Sequence, residues 1–266
     1  MLEVMSLPIQ LISTDFDGTL FAEFAMPPIP EKLVALIGDL QARGTKWVIN
    51  TGRDMSSLME TLARSRIGIQ PDYLVLVERE IYVHDGVRYA SVDEWNAACA
   101  HDHAELFAQV RAEVPKLYDW VNTRFKATVY EDAYSPFCLI AQNNGDADEI
   151  HAHLSEYSRG IKNLTVVRND VYARFSHDAY NKGSALSEIA RRLSIGPEMI
   201  FAAGDWLNDL PMLDRSRARW LASPANAVEA VKQAVREQTG FVSELSHGDG
   251  VAEGLEHCLA CACRQK

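Results

Sequence analysis

Positive charge is scarce in this chain. In 266 residues, 26 lysines and arginines stand against 37 aspartates and glutamates, a formal net charge of -11. That balance argues against a nucleic-acid backbone or an anionic membrane as the main partner, since both attract basic surfaces. It also means that an anionic ligand would need local positive charge or a bound cation at its site. No apolar run approaches the ~20 residues that a membrane-spanning helix requires. The segment Met1–Pro8 has no basic stretch of the kind that opens a secretory leader, so the sequence predicts a cytoplasmic protein.

Cysteine is equally uninformative as a scaffold. Cys99 and Cys138 are isolated, and Cys258, Cys261 and Cys263 crowd the C-terminus, an odd set of five that is no disulfide framework. Cys258-x-x-Cys261-x-Cys263 lacks a second ligand cluster at zinc-site spacing and reads as part of an apolar terminal helix. Internal repeats and low-complexity stretches are missing too. A hydrophobic content of 47% predicts order nearly throughout.

What is present is an alternation of short apolar runs and helix-spaced patterns. Ile9–Thr14 is β-prone and ends in Asp15-Phe16-Asp17-Gly18, which puts two carboxylates at a strand tip. Leu33, Val34, Leu36, Ile37 and Leu40 recur at helical spacing between Pro30 and Gly44. Trp47–Asn50 reads as a second strand leading into Thr51-Gly52-Arg53, with a helix from about Met55 to Ala63 and a third strand at Tyr73–Val77. This rhythm predicts an α/β fold: a doubly wound, Rossmann-like parallel sheet whose ligands bind beyond the carboxyl ends of the strands.

From about Glu80 the pattern changes. Ile81–Val83, a helix around Asp93–Glu113, strands at Lys126–Tyr130 and Phe137–Ala141, a helix near Asp146–Tyr157 and strands at Leu164–Arg168 and Tyr172–Phe175 read as an α+β insertion. The first rhythm resumes at Asn181-Lys182-Gly183 with a helix, a strand Met199–Ala203 ending in Gly204-Asp205, and a strand Arg219–Ala222. Residues 1–79 with 180–266 are therefore read as the core, and residues 80–179 as an inserted domain.

Taken alone, Asp15 and Asp17 read as a turn, because Asp-Gly after a strand is a common turn signal. Gly204-Asp205-Trp206-Leu207-Asn208-Asp209 changes that reading, since a parallel sheet brings its carboxylates to the same edge. Converging carboxylates repel one another unless a hard cation sits between them, and Mg²⁺ suits because it also takes substrate phosphate as a ligand. A carboxylate can act as a covalent nucleophile toward phosphorus, and Asp15 is the candidate. Asp17 is the candidate general acid/base. The transferring group spreads charge over its oxygens and calls for donors around it. The Thr51 hydroxyl, the Gly52 amide and Lys182 at a helix start offer them.

In order along the chain, Asp15-Phe16-Asp17-Gly18-Thr19-Leu20, Thr51-Gly52-Arg53, Asn181-Lys182-Gly183 and Gly204-Asp205-x-x-Asn208-Asp209 resemble the four motifs of the haloacid dehalogenase superfamily. The insertion between the second and third motifs resembles the α+β cap of the Cof-like branch, which is similar to sugar phosphatases. This resemblance implies a Mg²⁺-dependent phosphatase acting on a small phosphorylated metabolite, a sugar phosphate by preference, through an aspartyl-phosphate. It implies Asp15 as nucleophile and metal ligand, and Asp17 as acid/base and metal ligand through its carbonyl. Asp205 becomes the third ligand and Asp209 a ligand or a support, while Thr51, Gly52, Lys182 and Asn208 hold the phosphoryl oxygens. Arg53 is left equally as a structural ion pair or a substrate contact.

The same motifs also serve a phosphomutase or phosphotransferase, and a non-catalytic binding protein could keep the fold. The retained carboxylates and Lys182 speak against the latter. The expected assembly is a monomer or weak homodimer. The resemblance departs at Glu78-Arg79-Glu80, where Cof-like relatives usually have Asn-Gly-Ala or similar small residues, and at Trp206, bulky for its loop. Tyr118, Trp120, Tyr130, Tyr134 and Tyr172 of the insertion are candidates to stack on a sugar.

Overall fold

Leu11–Thr14 is buried at every position, the pattern of a strand covered on both faces. In the computed structural model, which describes residues 7–264, this segment is β1. Met1–Ser6, most of the stretch read for a leader, lies outside the described residues. There follow α1 (Glu31–Ala42), β2 (Lys46–Asn50), α2 (Met55–Ser65), β3 (Tyr73–Leu76), β4 (Glu80–His84) and β5 (Tyr89–Ser91). Next come α3 (Asp93–Val110), α4 (Val114–Asn122), β6 (Ala127–Tyr130), β7 (Cys138–Ala141), α5 (Asn144–Ser158), β8 (Leu164–Asn169) and β9 (Tyr172–His177). The chain ends with α6 (Lys182–Leu193), β10 (Ile200–Ala203), β11 (Trp220–Ser223), α7 (Glu229–Glu237), β12 (Phe241–Val242) and α8 (His247–Arg264).

Two compact units result. One takes the residues up to Val92 together with those from Lys182 onward, and the other is Asp93–Asn181. The sheet of the first unit has the order β12-β11-β10-β1-β2-β3-β4-β5. Every pairing from β12 to β3 is parallel, with Leu11 opposite both Ile200 and Lys46. The chain moves outward from β1 through β2 and β3, then returns to β10 on the other side of β1. Such a reversal leaves a crevice at the carboxyl edge of an open sheet. Leu33, Ile37 and Leu40 of α1 and Val251, Leu255 and Cys258 of α8 are spaced by three or four residues, so each helix turns one apolar stripe inward. A fully buried leucine or isoleucine contributes about 1.5–3 kcal/mol in this way. The Asp54 side chain caps α2 by accepting from the Ser57 amide at 2.8 Å.

β4 and β5 correct the sequence reading, which puts everything from residue 80 into the insertion. They extend the first sheet antiparallel to β3, with Leu76 opposite Glu80, Leu74 opposite Tyr82 and Val83 opposite Ala90. Ile81 is fully buried, and Tyr82 and Tyr89 pack against the first unit's core. Alternating apolar residues mark a hairpin, but not the sheet that it joins.

In the second unit the sheet runs β6-β7-β9-β8, all antiparallel, and buries Leu139, Ala173, Phe137 and Phe175 with Val110, Leu117, Ile150 and Leu154 of the helices. The single helix expected over Asp93–Glu113 stops at Val110, and a separate α4 begins at Val114 with Pro115 in its first turn. Proline is tolerated there because its missing N–H has no partner in a first turn. Of the aromatic candidates, Tyr118 donates to the Pro136 carbonyl at 3.0 Å and Trp120 stacks on His153, so both belong to the packing. Tyr172 is 54% exposed. Among the described residues no helix is long and apolar enough to cross a membrane.

Candidate active site

Asp15 follows β1, Thr51 follows β2, Glu78 lies just past β3 and Asp205 just past β10, so four neighbouring parallel strands deliver polar residues to one edge. The Asp15 amide donates to the Ala203 carbonyl at 2.9 Å, which ties the tips of β1 and β10 together. Asp15, Asp205 and Asp209 are all buried, and one carboxylate oxygen from each lies within 4.8 Å of the others. Lys182, also buried, begins α6 and donates to Asp15 Oδ1 and Asp209 Oδ1, each at 2.6 Å.

The ammonium thus binds two of the three clustered carboxylates directly. Burial works to strip the proton from Lys182, but the charges of Asp15 and Asp209 outweigh it and hold the ammonium above the ordinary lysine range. Burial raises the Asp15 carboxyl well above the usual carboxylate range, against the pull of Lys182 and with the push of Asp209 and Asp205. Burial and then Asp209 lift Asp205 to about 7, although the Thr19 hydroxyl bond opposes them. One lysine leaves this set short of positive charge. Buried oxygen donors at this spacing suit a hard divalent cation, which would displace the protons that the carboxyls otherwise retain.

Asp209 plays a different part from Asp15 and Asp205. Its Oδ1 receives Lys182, and its Oδ2 receives the backbone amides of Asp205 at 2.8 Å and Trp206 at 2.9 Å. Both oxygens are engaged, so the side chain braces the turn that carries Asp205. Gly204 allows the fold-back, since a Cβ there would lie 2.5 Å from the Asp209 Cβ. Asp205 is oriented by Thr19, whose hydroxyl donates to Oδ1 at 2.6 Å. In the sequence Thr19 stands inside the first motif with no signal of this role. Gly18, at φ +79, brings its Cα so close to Asp205 that a Cβ would stand 2.4 Å from Oδ2.

Asp17 is held apart from this trio. Arg53 donates to it through two nitrogens, Nε to Oδ2 at 2.7 Å and Nη2 to Oδ1 at 2.6 Å. The guanidinium is itself fixed by Thr61 Oγ1 at 2.7 Å and Ser57 Oγ at 3.2 Å, and lies over the rings of Phe16 and Phe21. Arg53 thus makes an ion pair, one of the two roles left open for it.

Thr51 is buried, its amide donates to the Val75 carbonyl at 2.9 Å, and its hydroxyl oxygen accepts from the Arg53 amide at 3.2 Å. Asn208, in the short turn Leu207–Asp209, donates Nδ2 to Glu78 Oε1 at 2.8 Å, and its Oδ1 is buried with no partner among the described residues. The Trp206 Nε1 is similarly orphaned. Glu78 was not among the site residues expected, and the only sequence signal for it is the charged triplet where small residues were anticipated. Its backbone is left-handed at φ 68, after Val77 at φ 44. Such positions cost on the order of 1–3 kcal/mol each and persist only where neighbours enforce them. Here the Val77 amide donates to the Arg53 carbonyl at 3.0 Å and the Glu78 amide to the Thr51 carbonyl at 2.9 Å.

A doubly wound sheet with a lysine-braced carboxylate cluster at its switch point suits phosphoryl transfer. The sequence profile of the haloacid dehalogenase-like hydrolases matches residues 85–255, and the chain belongs to that family. A phosphoglycolate phosphatase of Methanothrix thermoacetophila is 25% identical over 175 residues, covering 66% of this chain and 74% of that protein. A mannosylfructose-phosphate phosphatase of Agrobacterium fabrum is 27% identical over 259 residues, 94% of this chain and 97% of that protein. Among solved structures, the sucrose-phosphatase of Synechocystis in complex with sucrose and phosphate superposes with a TM-score of 0.72 at 18% identity, over 94% of this chain and 98% of that one. At that identity the likeness is one of fold.

Proposed function

We propose that this hydrolase is a Mg²⁺-dependent phosphatase of a small phosphorylated metabolite, with Asp15 as the nucleophile. The observation that carries the reading is the buried Asp15 carboxylate at the tip of β1, 2.6 Å from Lys182 and grouped with Asp205 and Asp209. The full-length relative that acts on mannosylfructose phosphate supports a sugar phosphate as the substrate class.

Asp15 Oδ attacks the phosphorus, the bond to the leaving oxygen breaks, and a proton from Asp17 goes to that oxygen. The phosphoryl group then rests on Asp15. In the second half, Asp17 takes a proton from water, the water oxygen attacks the same phosphorus, and the Asp15 carboxylate is released with orthophosphate. The Thr51 hydroxyl, the Gly52 amide, Lys182 and Asn208 meet the charge on the phosphoryl oxygens. Asp15, Asp205 and the carbonyl of Asp17 would hold Mg²⁺, with Asp209 bracing Asp205 and Lys182. When bound, the ion neutralises charge on the transferring group as a Lewis acid. Arg53, forked on Asp17, sets the resting position of the acid/base.

The test is release of orthophosphate by the purified protein from a panel of sugar, polyol and nucleotide monophosphates and phosphoglycolate, with and without Mg²⁺. Mg²⁺-dependent release that is lost in Asp15→Asn supports the reading. Turnover that survives this substitution, or release from none of the panel, overturns it.

A further inference from the structure

We infer that Glu78 is a resident competitor in the phosphoryl cradle: its carboxylate accepts the hydrogen bond of the Asn208 amide in the resting site, and an entering phosphoryl oxygen has to displace it. This rests on the phosphatase reading above, because it assigns Asn208 and Gly52 to the phosphoryl oxygens.

The position of Glu78 is enforced. Consecutive left-handed residues at 77 and 78 turn the chain back at the end of β3, and their amides are pinned to the carbonyls of Arg53 and Thr51. Glu78 is therefore clasped onto the Thr51-Gly52-Arg53 turn and is 6% exposed. Its Oε1 lies 3.3 Å from where a Cβ on Gly52 would stand and 2.8 Å from Asn208 Nδ2. The oxygen thus occupies the neighbourhood of two groups assigned to the phosphoryl oxygens. The amide of Asn208 is oriented by Glu78 alone, since its Oδ1 has no partner among the described residues, and reversing the amide would set Oδ1 against the carboxylate.

Charge gives this placement a consequence. Asp15, Asp205, Asp209 and Glu78 carry four negative charges when ionised, against one on Lys182 and two on a bound Mg²⁺, so the loaded site is left with one negative charge. Asp17 and Arg53 cancel as a pair. A small dianion with no other handle enters such a site poorly, whereas a phosphoester adds the contacts of its leaving group. Glu78 thereby selects esters over free orthophosphate and limits inhibition by the product.

Glu78→Gln removes the charge and keeps the size. Binding of inorganic phosphate to the Mg²⁺-loaded protein, measured by calorimetry without turnover, is expected to tighten about tenfold or more in this variant. Product inhibition by phosphate should strengthen in parallel. Glu78→Gly, which also relieves the left-handed backbone, is expected to shift phosphate binding in the same direction and covers a failure of the first variant to fold. Phosphate affinity that is unchanged or weaker in both variants overturns the inference and leaves Glu78 as a support for Asn208. Wild-type protein that hydrolyses its substrate while the variants bind phosphate no more tightly sinks this inference alone. Wild-type protein with no phosphatase activity sinks the functional reading and this inference with it.

Discussion

The two units bury charge in opposite ways. In the inserted unit the buried guanidinium of Arg168 pairs with Asp148 and also donates to the Asn144 side chain and to the Asp170 carbonyl. His103 is likewise closed in, with Nδ1 2.7 Å from the Cys99 carbonyl and Nε2 accepting from the His177 amide at 3.1 Å. These are buried polar groups with their partners supplied, the condition of a structural network. At the edge of the parallel sheet one ammonium donates to two of three clustered buried carboxylates, and the amide of Asn208 is half satisfied. A fold tolerates such a deficit where a ligand makes it good. The contrast is what the proposed placement of the chemistry in the first unit calls for.

Substitutions on each side should separate the two cases. The largest effect is expected from Asp15→Asn, which should lower turnover by at least about a thousandfold while circular dichroism stays that of the wild type. Lys182→Met comes next, with a loss of about a hundredfold or more in kcat/KM, since it removes the cation bonded to Asp15 and Asp209. Arg168→Ala should cost about 1–3 kcal/mol in denaturant unfolding of the inserted unit by stranding its partners, with kcat moving far less than stability. Arg53→Lys, which keeps the charge and loses the fork, should lower kcat by about tenfold and leave the metal requirement in place.

The smallest effect is a pH dependence. Asp205 is raised to about 7, so between the ordinary aspartate value of about 4 and that point the folded metal-free protein holds more protons than the unfolded chain. Its stability should therefore fall as pH rises through this window, and the apparent affinity for Mg²⁺ should rise. Titration calorimetry in buffers of different ionisation enthalpy should register proton release on Mg²⁺ binding near pH 6. No release there would mean that the carboxyls are already ionised.

Much of the site was legible because its residues stand at strand tips, where a short apolar run followed by Asp or Thr-Gly marks the position locally. Asp15, Thr51 and Asp205 needed only the assumption of a parallel sheet to be brought together. The hairpin β4–β5 was misplaced because an antiparallel edge strand alternates like any other. The break between α3 and α4 turned on Pro115 opening a new first turn. Glu78 was visible as a charged departure, but its bond to Asn208 spans 130 positions, and only the clasp at Val77–Glu78 reveals where the carboxylate points. The direct ion pair of Arg53 with Asp17 was similarly a matter of tertiary placement.

The most direct test of the account is the identity of the atom that carries phosphorus during turnover. Acid-quenched enzyme, digested and read by mass spectrometry during reaction with a good substrate and Mg²⁺, should show one added phosphoryl group on the peptide containing Asp15, and none in Asp15→Asn. Phosphoryl on a different residue, or turnover at full rate with no phosphorylated peptide accumulating even in Asp17→Asn, would contradict a covalent role for Asp15.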